Sequence, residues 1–285
     1  MVGRALSRRL TELGYSVVPF RSRQVGALGM DAATGYLDRA GLEGAWAVIH
    51  LAGESIAQRW TDAAKERILS SRRDNTRLLA EALAGLAQPP AVFISMSGIN
   101  RYGSGQAGPV DEQSPTAVSG FLSAVTAAWE DATLPASAAG IRTVLLRTGM
   151  VLARHGGGLG KMLPAFRLGL GGPIGGGRQH LSWIGLPDLV ELIAWALRSP
   201  SVHGPLNAVA PASITQGEFA RTLGAVLGRP SFLPMPAWVV SVLFGQMGRE
   251  TILDDVSARP TAALAGGFRF SAPDLPSALR QALAG

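Results

Sequence analysis

No cysteine occurs among the 285 residues, so disulfides, thiolate nucleophiles and cysteine-ligated zinc or iron–sulfur sites are excluded. Histidine is scarce: His50, His155, His180 and His203 are scattered, without the H-x-x-x-H or H-E-x-x-H spacing of a metal site. Charged residues are only 16% of the chain against 47% hydrophobic, a balance that excludes disorder and predicts a folded core. The length allows one large domain or two modest ones. The formal charge is +6, yet the arginines are spread rather than blocked, apart from pairs such as Arg8-Arg9 and Arg72-Arg73. They read as a basic solvated surface that also suits an anionic cofactor, and no nucleic-acid partner is expected.

A leader is not visible, because the first ten residues carry three arginines and no apolar core of sufficient length. Residues 230–248 carry no charge, but Pro234 and Pro236 cut the helix in that run to 237–245. The run reads as a buried helix rather than a membrane span. A cytoplasmic location with no membrane partner is the expectation.

What is present is an alternation of strand and helix. Apolar residues at helical spacing predict helices over 2–13, 61–86, 159–168 and 189–198, with 121–140 helical but broken near Pro135. Gly14 suits the end of the first helix and Thr61 the start of the second. Short apolar runs predict strands at 16–20, 45–51, 91–97, 142–147 and 206–209. This pattern predicts an α/β fold with a doubly wound parallel sheet over residues 1–227. Beyond 228 the strands stop, and helical runs at 237–244, 255–264 and 276–283 predict a small, mainly helical C-terminal domain, 228–285.

Ligands of open parallel sheets bind beyond the carboxyl ends of the strands. The stretch A-V-F-I-S-M-S-G-I-N-R-Y-G at 91–103 delivers Ser95, Ser97 and Tyr102 to that edge. A strand end capped by serines, with Tyr102 as a packed aromatic, is the alternative. Leu51, Ala52 and Gly53 end another strand with small residues that let a ligand approach the backbone. Arg147-Thr148-Gly149 and Asn207-Ala208 hold comparable positions. Arg21 follows the 16–20 run, where an acid would select NAD and an arginine suits a 2′-phosphate. Phe20-Arg21-Ser22-Arg23 has two arginines and no acid, so a bound nucleotide would be NADP; otherwise these are ordinary surface arginines.

Several motifs together resemble the short-chain dehydrogenase/reductase superfamily, in its extended, epimerase-like branch. They are H-L-A-G-E-S-I at 50–56, S-R-R-D-N-T-R-L-L at 71–79, S-M-S-G-I-N-R-Y-G at 95–103, W-E at 129–130, L-L-R-T-G-M-V-L with G-G-G-L-G-K-M-L within 145–163, G-R-Q-H-L-S-W-I at 177–184, L-N-A-V-A-P at 206–211 and G-R-P-S-F-L-P-M-P-A at 228–237. The resemblance spans essentially the whole chain. It implies a Rossmann fold that binds NAD(P), with a substrate cleft beneath the C-terminal part; the partner expectations are a small-molecule substrate and a homo-oligomer. By resemblance Gly3, Arg21, Leu51, Ala52, Gly53, Ser95 and Arg147 would meet the cofactor, and Asn75 would buttress it. Ser97 matches the catalytic hydroxyl and Tyr102 is a substitute acid; Glu54, Lys161, His180 and Trp183 would face substrate.

Two departures stand out. Only Gly3 matches the glycine-rich turn with which the family opens. The first strand of the sheet is therefore expected to be missing, from a start assigned too late, with weak cofactor binding that an upstream apolar strand would restore. Phe121 and Val125 replace the Tyr-x-x-x-Lys pair, in which lysine lowers the tyrosine pKa for proton exchange. An NADP-dependent epimerase-like or oxidoreductase-like protein is the first expectation. A catalytically silent, cofactor-sensing regulator associated with cell division is the alternative.

Overall fold

A computed structural model describes residues 1–22, 25–26 and 28–284. The chain begins with α1 (Val2–Glu12), β1 (Arg21–Ser22), β2 (Gly29–Asp31), β3 (Tyr36–Leu37), β4 (Ala47–His50) and the long α2 (Asp62–Ala84). Next come β5 (Val92–Gly98), a 3₁₀ turn (Ile99–Tyr102), α3 (Phe121–Asp131), α4 (Leu134–Ala138), β6 (Arg142–Thr148), β7 (Met150–Leu152) and α5 (Gly157–Arg167). They are followed by β8 (His180–Leu181), β9 (Trp183–Gly185), α6 (Leu186–Arg198), β10 (Gly204–Ala208), β11 (Ile214–Thr215) and α7 (Gln216–Leu227). The last elements are α8 (Ala237–Met247), a π turn (Gly248–Ile252), α9 (Thr261–Ala265) and α10 (Leu275–Ala284).

A parallel sheet in the order β10-β6-β5-β4 forms the centre. Alternation along β5 explains its two buried faces. Val92 and Ile94 join Leu6 and Leu10 of α1 and Leu189 and Ile193 of α6 on one side. Phe93 joins Leu79 and Leu83 of α2 and Ala136 of α4 on the other. Helices thus cover both faces, as the doubly wound reading requires. Local signals hold as well: Thr61 Oγ accepts from Ala64 N at the start of α2, and Gly14 takes a left-handed φ of 85° after α1. The break near Pro135 divides 121–140 into α3 and α4, with the proline in the first turn of α4.

Three expectations are corrected. Residues 16–20 form no strand. The central sheet ends at β4, and no described strand lies between β4 and this segment to take its amides. Val17 and Phe20 still pack into the cores, and Tyr15 stacks on Trp46 at 5.7 Å. Residues 255–264 are helical only over Thr261–Ala265, because Val110 N donates to Ser257 O and Arg259 N to Val110 O, which holds 257–259 extended. Helix α8 forms, but it is not buried. Only Val240 is fully buried, with Val239 and Phe244 to Met247 half-buried, while Trp238, Val242 and Leu243 are 69%, 71% and 61% exposed. Arg23, the second arginine of the sequence argument, lies outside the described residues.

The C-terminal stretch shares its cores with the rest of the chain. Ala263 and Phe268 join the sheet core, while Ala272, Leu275 and Leu279 pack with Leu152, Leu159 and Phe219. Among the described residues, no helix is long and apolar enough to cross a membrane.

Candidate functional site

Register brings three predicted positions into one row at the carboxyl edge. Ser97 on β5 lies opposite Arg147 on β6, which lies opposite Asn207 on β10. Glu130, from α3, reaches the row from above. Its carboxylate accepts from Ser97 Oγ at 2.7 Å and from Arg147 Nε and Nη2 at 2.8 Å each. Arg101 Nε stands 3.3 Å from the same carboxylate, off the hydrogen-bond line. Arg147 also lies over the Tyr102 ring, 4.8 Å from its centroid. Tyr102 donates its hydroxyl to Asn207 Oδ1 at 2.8 Å, and Asn207 Nδ2 donates to Arg259 O.

This network is closed to solvent: Tyr102 is fully buried, and Ser97 and Arg147 are each 4% exposed. Burial raises the Tyr102 phenol above its ordinary 10, against the opposing pull of Arg147 and Asn207. The phenol therefore stays protonated. Burial opposes the Arg147 charge, but the hydrogen bonds and charge attraction of Glu130, together with Tyr102, outweigh it and hold the guanidinium protonated. Ser95, fully buried, donates to Met96 O at 3.3 Å. Glu130 was visible in the sequence only as half of the W-E pair; its partners depend on strand register, which no local spacing carries.

A second group lies at the end of β4. A Cβ on Gly3 would stand 3.8 Å from Leu51 Cδ1, so α1 starts beside this strand end. Met1 borders the glycine loop before α5, its Sδ 3.5 Å from where a Gly156 Cβ would lie. Gly53 has a cause that the sequence did not show: a Cβ there would come within 3.1 Å of the Arg72 guanidinium. Arg72 lies over Trp129 at 5.0 Å and donates to Ile68 O. Burial lowers it to about 10, partly offset by Glu54. His50, 4% exposed, has no partner for Nε2; burial, then Arg72, lowers it to about 4.

The backbone N–H of Glu54 donates to Ser71 Oγ, and Gln58 donates to the Glu54 carboxylate. Lys161 donates to Ala57 O at 3.0 Å and so ties α5 to the loop after β4. Arg21 is exposed on β1. Phe121, at the place of the family's tyrosine, meets Trp60 edge-on at 5.0 Å, and Val125 is 1% exposed in the same apolar cluster. Asn75 is buried on α2. His180 is half exposed with Nδ1 2.9 Å from Asp255 Oδ1. Trp183 is 1% exposed in the core beside α5 and α7, so that cluster would have to open before its ring met a ligand.

A cavity of about 70 Å³ lies at the start of α3, lined by Asn100, Ser104, Ser123, Arg249, Glu250 and Asp254 among others. Glu250 accepts from Leu122 N at the helix start, and Asn100 donates to Asp254. Burial raises the Asp254 carboxyl above its ordinary range. The sequence reading singled out none of these cavity side chains, which come together from segments 150 residues apart.

Residues 235–282 match a domain of unknown function, DUF1731. Human epimerase family protein SDR39U1 is 38% identical over 288 residues, 99% of this chain and 96% of its own length. Epimerase family protein MT2273 of Mycobacterium tuberculosis is 36% identical, covering 95% of this chain and 90% of its own. The crystal structure of human SDR39U1 (isoform2) with NADPH superposes with a TM-score of 0.91 at 37% identity, over 100% of this chain and 96% of that one. A nucleoside-diphosphate sugar epimerase from Corynebacterium glutamicum gives 0.81 at 29% identity, over 99% of this chain and 56% of that one. Residues 1–208 match the NAD dependent epimerase/dehydratase family, and on that match and those relatives the chain belongs to it.

Proposed function

We propose that this chain binds NADP(H) at the carboxyl edge of its parallel sheet and acts as an epimerase-like or oxidoreductase-like protein on a small molecule. One observation carries the reading: similarity over the whole chain to a human relative crystallised with NADPH. The residues present fit such a ligand. Arg21 is exposed and no acid stands beside it at Phe20 or Ser22, which suits a 2′-phosphate. Gly3, Leu51 and the Gly156 loop converge at one edge, where the first amides of α1 have no side-chain cap and so suit a pyrophosphate.

Bound there, the nicotinamide supplies or accepts a hydride. The chain's own part differs from the Tyr-x-x-x-Lys scheme. Phe121 and Val125 form an apolar wall and exchange no proton. Ser97 and Tyr102 commit their hydroxyl hydrogens to Glu130 and Asn207, so in this reading they position Arg147 and the strand ends. Lys161 is exposed on α5 and donates to Ala57 O in the loop after β4, and we assign proton exchange with substrate to it.

The test is a titration of NADPH and NADH followed by a turnover screen on carbonyl compounds and sugar nucleotides. NADPH should bind more tightly, and Arg21→Asp should shift the ratio toward NADH by roughly tenfold, about 1.4 kcal/mol. An unchanged ratio would remove Arg21 from the adenosine end. Absence of binding to either dinucleotide, in this chain and in a variant with an apolar strand added upstream, would sink the reading, while binding without turnover would remove only its reaction.

A further inference from the structure

An uncharged helix with one buried residue needs something to cover it. Besides Trp238, Val242 and Leu243 on α8, Phe232 is 72% exposed, and Leu168 and Leu170 are 74% and 59% exposed. The two segments lie side by side: Leu233 N donates to Gly171 O and Met235 N to Pro173 O. Trp238 and Val242 are four residues apart and so share a helix face. Trp238 and Phe232 alone leave on the order of 200–350 Å² uncovered, taking 150–250 Å² for such a side chain. The four aliphatic residues add to a patch beyond scattered surface hydrophobics.

Arginines border the patch, and the acid that follows α8, Glu250, is taken up by Gln246 and by the backbone N–H of Leu122. No aspartate or glutamate occurs at 132–187 or at 219–249. Arg167 precedes Leu168, Arg229 precedes Pro230 and Arg249 follows α8; all three are exposed, and no ion pair involves them among the described residues. A two-fold contact with a second copy would set this cationic rim against itself. An apolar face bearing Trp, Phe and Leu with arginines at its border suits an anionic bilayer, where aromatic rings sit at headgroup level and guanidiniums are drawn to anionic lipid.

We propose that the 168–170 and 230–243 surface docks on anionic membranes, with α8 in the plane of the interface. This departs from the sequence expectation of no membrane partner, which rested on the 230–248 run being buried. The experiment is co-sedimentation of the full chain with phosphatidylcholine vesicles, with and without phosphatidylglycerol, beside light scattering without lipid. The chain should sediment with the anionic vesicles and at least tenfold less with neutral ones or at high salt. The pair Trp238→Asp and Val242→Asp should abolish sedimentation. Arg167→Glu with Arg229→Glu should weaken it while circular dichroism stays unchanged. No sedimentation with either vesicle, or equal sedimentation with both, would overturn the proposal. So would a dimer without lipid that the Trp238→Asp and Val242→Asp pair dissociates, which would make the face a contact between copies.

Discussion

Glu130 is the residue on which the buried network turns. Its carboxylate faces one arginine in two parallel hydrogen bonds, a second arginine at 3.3 Å and a serine hydroxyl. Bidentate geometry in a dry site is where such a pair is strongest, and where losing one member is most damaging. Glu130→Gln keeps the shape but removes the charge, leaving Arg147 buried and uncompensated. We expect a loss of about 3–5 kcal/mol in folding stability, read as a lower denaturant midpoint with an unchanged slope. A loss under about 1 kcal/mol would mean that Arg147 finds another partner. Ser97, Tyr102 and Arg147 were each legible as strand-end residues, because small polar groups after an apolar run stand out. That they share one acid was not legible, since it follows from α3 crossing above β5 and β6.

At the scale of elements, the parallel sheet and its covering helices were readable from period alone, as the two faces of β5 show. Besides 255–264, two elements show where period fails. Residues 16–20 carry a strand's composition, but a strand needs a neighbour, and the sheet stops at β4. Helix α8 carries a buried helix's composition, but composition does not say what lies against it. The end of β4 gives a testable consequence. His50 is held at about 4 by burial, with Arg72 adding to it, against an ordinary 6.5. Between those values the unfolded chain takes up a proton that the folded chain refuses. Stability is therefore full above pH 6.5, falls as pH drops through the interval and loses nothing further from this group below about 4. The interval is worth about 3 kcal/mol. Denaturation midpoints measured from pH 7 to 4 should fall accordingly, and His50→Asn should flatten that part of the profile. An unchanged profile in the variant would assign the acid sensitivity to other groups.

For the whole molecule, the question is whether residues 228–285 unfold apart from the sheet. Phe268 sits in the sheet core and Leu275 and Leu279 in the second core, so peeling them away exposes apolar surface on both. One acid fastens the joint. Asp188, 1% exposed in the first turn of α6, accepts from Ser271 N and Ser271 Oγ at 2.7 Å each and from Ala272 N at 3.1 Å. Hydrogen bonds to a charged group contribute about 1.5–3 kcal/mol each, and Asp188→Ala removes three at once. If the two regions form one cooperative unit, the variant should unfold in a single transition at lower temperature. Fluorescence of Trp195, which meets Phe268 at 5.6 Å, should change together with the far-ultraviolet circular dichroism. Early protease cleavage after residue 265, with the remaining transition unmoved, would instead show a C-terminal unit that detaches while the sheet stays folded. The shared side chains argue for the first outcome, because a separate unit would have to leave Phe268 behind as a cavity in the core that α6 and β10 enclose.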